Sequence, residues 1–542
     1  MAFITIWRIL AAALLCAQPE TPYELYSIGA QLELDGKIMQ AIEQYERARM
    51  LGPESPEIFT ALANAYYKLG QFDAGIAVAV EGVERFPEDI DVCITAAVGY
   101  IGKGDVKSAI FYYERARERD PANRDTYFGL SVLYESSGAL TQARHVLIDM
   151  PDTLKSADVY VRLGTLAGKE DDHATAIAYY HRAYNMDTTS IPALLGIGTA
   201  YDLQNIADSS IYYYEKSLQD DSLLLTVGKR LIELYADVEE YRKMASMAKR
   251  ILVLDYNDGY IRRNLGYALY QMGMLEPALM EFLICVGLEP EDTYARFHAG
   301  RIYLETGAYD AALSEIKQAI AIDPDFVELW VYRGFIGIET EDFEAAQYAF
   351  TEAAYRGADV VQIYYLLGVV EEMKDQYEPA YFYYHKSLKS DPKNLATLEA
   401  LAHLCDRVDK KGEAVRTFER IIEVDSVNAT ALNYVGYWFA ERSEKLDYAL
   451  ELIDRALEQE PDNGFFIDSR GWAFYQMGRY EQARDDLERA SELVEDAVIF
   501  EHLGDVYIKL KNTEKARAAY EKGLEFEPDN NILKRKLQSI GK

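Results

Sequence analysis

The side chains of a reaction centre occur in this chain of 542 residues, but they are not spaced for one. Its 7 histidines are scattered along the whole length, and His181 and His385 fall at the same place in an internal repeat, as surface helix residues do. No His-Glu-x-x-His offers two imidazoles to a metal, no Cys-x-x-Cys offers paired thiolates, and no Gly-x-Ser-x-Gly lifts a serine toward a base. Gly99 to Gly104 holds a Gly-Lys pair without the remaining spacing, or the following Ser or Thr, of a phosphate-cradling loop. Cys93, Cys285 and Cys405 stand at apolar positions too far apart to pair, so buried structural thiols are expected. Recognition chemistry is what concentrates. Tyr260, Arg263, Tyr267 and Tyr270, then Tyr294, Phe297 and Arg301, gather aromatic rings and guanidinium groups, the types enriched where binding energy is focused. Asn433 and Tyr437, then Phe465, Asp468, Trp472 and Tyr475, form a second group. The expectation is two partner-binding surfaces, with no catalytic residue, no cofactor and no metal site.

Both groups follow fixed offsets because the chain repeats. Copies begin at residues 22, 56, 90, 124, 157, 191, 225, 259, 293, 327, 361, 395, 429, 464 and 497, a period of 34 with one-residue slips. Such a period marks a solenoid, in which each unit leans on its neighbour to bury its apolar face. In the ninth copy, Tyr294 to Tyr303 and Tyr309 to Ile322 carry apolar residues three and four apart and read as two helices, A and B, joined by a tight link at Glu305, Thr306 and Gly307. Position 8 is small in fourteen of the fifteen copies, ten of them glycine, with Ile232 as the exception. Position 20 is small except at Met244. Glycine inside a helix costs about 0.5–1 kcal/mol relative to alanine, so the pattern predicts close approach of the two helix backbones. Bulky residues at position 24, from Tyr45 to Tyr520, are expected to be knobs for the next unit, and proline at position 32, as in Pro53 and Pro290, to stop helix B.

A small residue at position 8, an aromatic at 11, Ala at 20, an aromatic at 24, a small residue at 27 and Pro at 32 together resemble the tetratricopeptide repeat. The resemblance covers residues 22–530 and implies an all-α, right-handed α-solenoid superhelix of about fifteen helix-turn-helix repeats, its A helices lining a concave groove. Residues 531–542 then read as a capping helix bearing Lys534, Arg535 and Lys536. The seventh copy, 225–258, is the most degenerate; with its dibasic pairs, such as Lys229-Arg230 and Lys249-Arg250, it is the expected place for a hinge. If positions 4, 7, 8 and 11 face the core, positions 2, 5, 9 and 12 form the adjacent stripe, which the resemblance places in the groove, so the partners are proteins or peptides. The carboxylate clamp of chaperone-binding members needs Lys and Asn at positions 5 and 9. Thr60 and Asn64 do not supply it.

Ninety acidic against 56 basic residues leave a net charge of -34, which disfavours nucleic-acid partners because that affinity comes from neutralising phosphates. At the N-terminus, Arg8, the apolar run Ile9 to Leu15, and Cys16-Ala-Gln-Pro19 resemble a secretory signal, too short for a membrane span, within a leader or anchor segment 1–21. Cys16 sits where a bacterial lipobox places its lipidated cysteine, although Leu15 departs from the small residue that motif requires, and cleavage near Ala17 is the alternative to a membrane tether. Asn433-Tyr-Val-Gly-Tyr437, Asp468-Ser-Arg-Gly-Trp472 and Glu501-His-Leu-Gly-Asp505 resemble the last repeats of large bacterial envelope tetratricopeptide proteins, including the lipoprotein adaptor of a periplasmic carboxyl-terminal processing protease. The resemblance implies a non-enzymatic scaffold exported to the periplasm or outer membrane. A cytoplasmic assembly factor or regulator and a subunit binding cell-wall polymer or carbohydrate are the alternatives, and the oligomeric state stays open.

Overall fold

A computed structural model describes residues 21–218 and 221–540, so residues 1–20 of the leader segment, with Cys16, lie outside the described residues. Among the described residues the regular elements are 31 α-helices and two short 3-10 turns, and no strand. They gather into two compact units, one up to Met272 and one from Gly273. In each, consecutive helices of about four turns pack as A on B and B on the next A, for example Pro56–Lys68, Phe72–Arg85 and Ile90–Lys103. No described helix is long and apolar enough to cross a membrane.

The reversal from helix A to helix B is made the same way in all fifteen copies, with position 15 in the left-handed region of backbone space. Seven copies place glycine there, from Gly36 to Gly478, which enters that region without penalty. The other eight, including Asn205, Glu341 and Lys511, hold φ at 56–60°. The kink lets the next amide close the helix end, as where Lys37 N donates to Leu32 O at 2.8 Å and Gln71 N to Tyr66 O at 3.0 Å. At the other end, Asp89, Asn123, Asp292, Asn428 and Asp496 cap the following A helix by accepting from its first-turn amides. Helix B stops two residues before Pro290, and at the same register where Tyr256 replaces the proline, in helix Tyr241–Leu254. Proline therefore reinforces an ending already built by turn and cap. A second lock recurs at position 4, where Tyr127, Arg296 and Trp330 each donate to the carbonyl six residues upstream, at 2.8–3.2 Å.

The glycines of position 8 seat a side chain before they admit a backbone. A Cβ built on Gly334 lies 2.4 Å from the Phe350 ring, and one on Gly504 lies 2.2 Å from Tyr520, the position-24 residue of the same copy. The Tyr180 ring is held on both sides, a Cβ on Gly164 falling 2.7 Å from it and one on Gly196 of the next copy 2.4 Å. The expected knob into the next unit is thus half of the contact. Close approach of a carbonyl joins in where position 24 is aliphatic: at Gly436 the nearest atoms belong to Ile453, at 2.6 Å, and the Ala449 carbonyl, at 2.9 Å.

The seventh copy obeys the same volume rule with its partners exchanged. Its helices Leu224–Asp237 and Tyr241–Leu254 lie within the first unit, and Ile232 at position 8 and Met244 at position 20 are fully buried. The position-24 residue there is the small, buried Ala248, so the large member of the pair has moved to helix A. In the second unit, helix Asn531–Ile540 closes the array by burying Leu533 against Ala497 and Tyr520.

Candidate functional site

The first aromatic and arginine group falls on both sides of the division between the two units. Within the first, Tyr260 is half-buried and donates to Glu233 Oε1 at 2.9 Å, Arg263 lies 5.6 Å above the Tyr260 ring, Tyr267 meets Tyr241 edge-on at 6.1 Å, and Tyr270 is half-buried. Burial, then the Glu233 hydrogen bond and charge, push the Tyr260 phenol above its ordinary pKa. Within the second, Tyr294 is 54% exposed and stacked on Phe326 at 5.6 Å. Phe297 departs from the expected surface stripe. It is buried because Phe326 and Tyr332, at 5.3 and 5.1 Å, close over it. Arg301 donates to Glu305 and covers the Tyr332 ring.

Asp468, Trp472 and Tyr475 of the second group gather around a histidine that a reading of positions 2, 5, 9 and 12 passes over. Asp468 is buried, with its Oδ1 2.9 Å from Nδ1 of the equally buried His502. Trp472 stacks on that imidazole at 4.0 Å and on Tyr475 at 4.7 Å. Burial disfavours the His502 cation, but Asp468, with Asp505 and Glu501 behind it, outweighs burial and holds the imidazole pKa above its ordinary value. Tyr437 is half-buried, and burial followed by the charges of Asp468, Glu441 and Glu501 drives its phenol upward. The buried atoms Asn433 Oδ1 and Trp472 Nε1 have no hydrogen-bond partner among the described residues. Phe465 is 54% exposed at the rim.

His502 holds position 6 of its copy and points back at positions 5 and 9 of the preceding one. The terminal helix repeats the device: Lys536 Nζ lies 2.6 Å from both Glu501 and Asp505, positions 5 and 9 of the last copy. Position 6 is the signal that would have found both.

A third place was not singled out from sequence. Tyr26, Ala30 and Glu33 of the first copy and Glu57, Thr60 and Asn64 of the second line a concave cleft of about 530 Å3. These are positions 5, 9 and 12, then 2, 5 and 9, the predicted stripe itself. Glu33 is held by Lys68 Nζ at 2.6 Å and by the Tyr45 hydroxyl at 2.8 Å. Glu57 accepts from the Ser55 hydroxyl at 2.6 Å, which lowers its pKa. The Thr60 hydroxyl is buried without a partner among the described residues. The opening comes from Ala30 and Ala61, which leave room where other copies carry rings.

Family descriptions reading "TPR repeat" and "Tetratricopeptide repeat" match residues 35–70, 100–162, 157–189, 293–326 and 469–531. Two of the matches open on residues 157 and 293, where the period starts its fifth and ninth copies. The chain is a tetratricopeptide repeat protein. A TPR repeat-containing protein of Pseudomonas aeruginosa is 30% identical over 120 residues, 22% of this chain and 20% of that one. Another, of Methanocaldococcus jannaschii, is 35% identical over 89 residues, 16% of each chain. The chain spans about a fifth of the length of the curated relatives it matches. Among solved structures it is similar to one described as Naa15/Naa10 bound to HypK-THB, at 11% identity and a TM-score of 0.37 over 96% of both chains. Tetratricopeptide arrays are scaffolds for protein-protein interaction, and the helix pairs described above are such an array.

Proposed function

We propose that the chain is a non-enzymatic adaptor of a bacterial cell envelope that holds one or more proteins or peptides along the stripe at positions 2, 5, 9 and 12. The observation that carries the binding half is the cleft of the first two copies. There the side chains of that stripe face one concavity, and Thr60 and Asn64 are among its lining residues. Export is supported by Arg8 followed by Ile9 to Leu15 and Cys16, and by the C-terminal motifs from Asn433 to Asp505.

The test has two arms. N-terminal mass spectrometry of the fractionated native chain is expected to find a mature form beginning near Cys16 or Ala17, with lipid on Cys16 if it is tethered. An intact Met1 in the cytosol contradicts export and leaves the assembly-factor reading. In affinity capture, Arg263→Ala with Tyr267→Ala is expected to lower partner recovery while helix content stays unchanged. Unchanged recovery removes that surface from the binding site, and binding to purified cell-wall polymer with no protein present favours the polymer reading.

A further inference from the structure

We infer that the cleft of the first two copies receives a peptide carrying a lysine or arginine beside an apolar side chain. This names the partner chemistry of the binding reading above and rests on it. The cleft is open to solvent and its volume, about 530 Å3, leaves room for peptide side chains. Its charge is one-sided. Glu33, Glu57, Asp89 and Asp91 stand against the single cation Lys68, which is already committed to Glu33 at 2.6 Å. An anionic partner would meet that field without a counter-charge, whereas an ammonium or guanidinium would be drawn in. Asn64, on helix Pro56–Lys68, lines the cleft with an amide that can both donate and accept, suited to the N–H and C=O groups of an extended backbone.

The apolar half of the specificity comes from a second cleft of about 530 Å3, lined by Pro22, Tyr23 and Ile58. Tyr26 and Glu57 line both clefts, so the two are adjacent and share a wall. Tyr23 is 78% exposed, an aromatic face open to a partner. A peptide lying across the shared wall places a cationic side chain among the carboxylates and an apolar one against Tyr23 and Ile58.

The experiment is fluorescence anisotropy of the full chain with two labelled octapeptides, one alternating leucine with lysine and one alternating leucine with glutamate, at about 0.15 M salt, where weak long-range attraction is screened. The lysine peptide is expected to bind and the glutamate peptide not. Glu57→Gln with Asp91→Asn should weaken binding about tenfold or more, and Asn64→Trp, which fills the cleft without changing charge, should do the same. Glu492→Gln with Glu495→Gln, an equal charge change at exposed residues far along the chain, should leave it unaltered. Equal binding of both peptides, no binding of the lysine peptide, or equal weakening by the two charge pairs overturns the inference. If neither peptide binds while a photo-crosslinker at Asn64 still captures a partner, the partner chemistry fails and the binding reading survives. If the crosslinks are absent too, both fail.

Discussion

At position 9 the first copy carries Ala30 and the fourteenth carries Trp472; at position 6 of the copy that follows stand Ala61 and His502. Around the first pair the chain leaves a cleft of about 530 Å3. Around the second, the indole stacks on the imidazole at 4.0 Å, and Asp468 anchors the imidazole from below. Helix lengths, the left-handed kink and the buried small residues are shared by the two regions. In these two regions the small pair Ala30 and Ala61 lines an open stretch, and the large pair Trp472 and His502 fills one with the chain's own rings.

The largest expected effect separates the two regions outright. His502→Ala leaves Asp468 buried without its partner and is expected to cost about 3–5 kcal/mol in denaturant unfolding, whereas Asn64→Ala, at the open cleft, should stay within about 0.5 kcal/mol. Comparable losses would erase the distinction.

Next comes a contrast between core and stripe. Ala312→Leu should overpack a fully buried site between two helices and cost about 1–3 kcal/mol, while Ala61→Phe should be nearly neutral to stability and abolish binding of the lysine peptide. A neutral Ala312→Leu would contradict the packing described for position 20.

A smaller effect is a pH dependence confined to the filled region. The folded His502 pKa is raised, so its contribution to stability is complete below the free imidazole value of about 6.5 and is lost as pH rises through the folded value. Urea midpoints should therefore fall from pH 6 toward pH 9 by more in the native chain than in His502→Gln, and identical profiles would remove the Asp468–His502 pair as the cause. Smallest is Glu341→Gly, which relieves a left-handed residue with φ of 57° and should stabilise by about 0.5 kcal/mol in the same assay.

The period and the helix pairs could be read from the sequence because a repeat that must bury the same face fifteen times writes that face into its spacing. What crosses from one copy to the next was harder to see. His502 and Lys536 act on residues about 30 positions upstream, and nothing within their own copy marks them. Phe297 was expected on the surface stripe, yet it is covered by Phe326 and Tyr332 of the following turn and helix. The cleft escaped notice because it is built from small residues, Ala30 and Ala61, and small residues leave no positive mark. The division near Met272 likewise coincides with no break in the period.

The central claim is that partners are held on the helix A stripe at positions 2, 5, 9 and 12 and not on the exposed face of helix B. The most direct measurement places a photo-crosslinking amino acid at Asn64, in the cleft, and in a second variant at Phe111, which is 56% exposed on a B helix. Crosslinked partner at Asn64 and little or none at Phe111 is the predicted result; equal or greater crosslinking at Phe111 would contradict it.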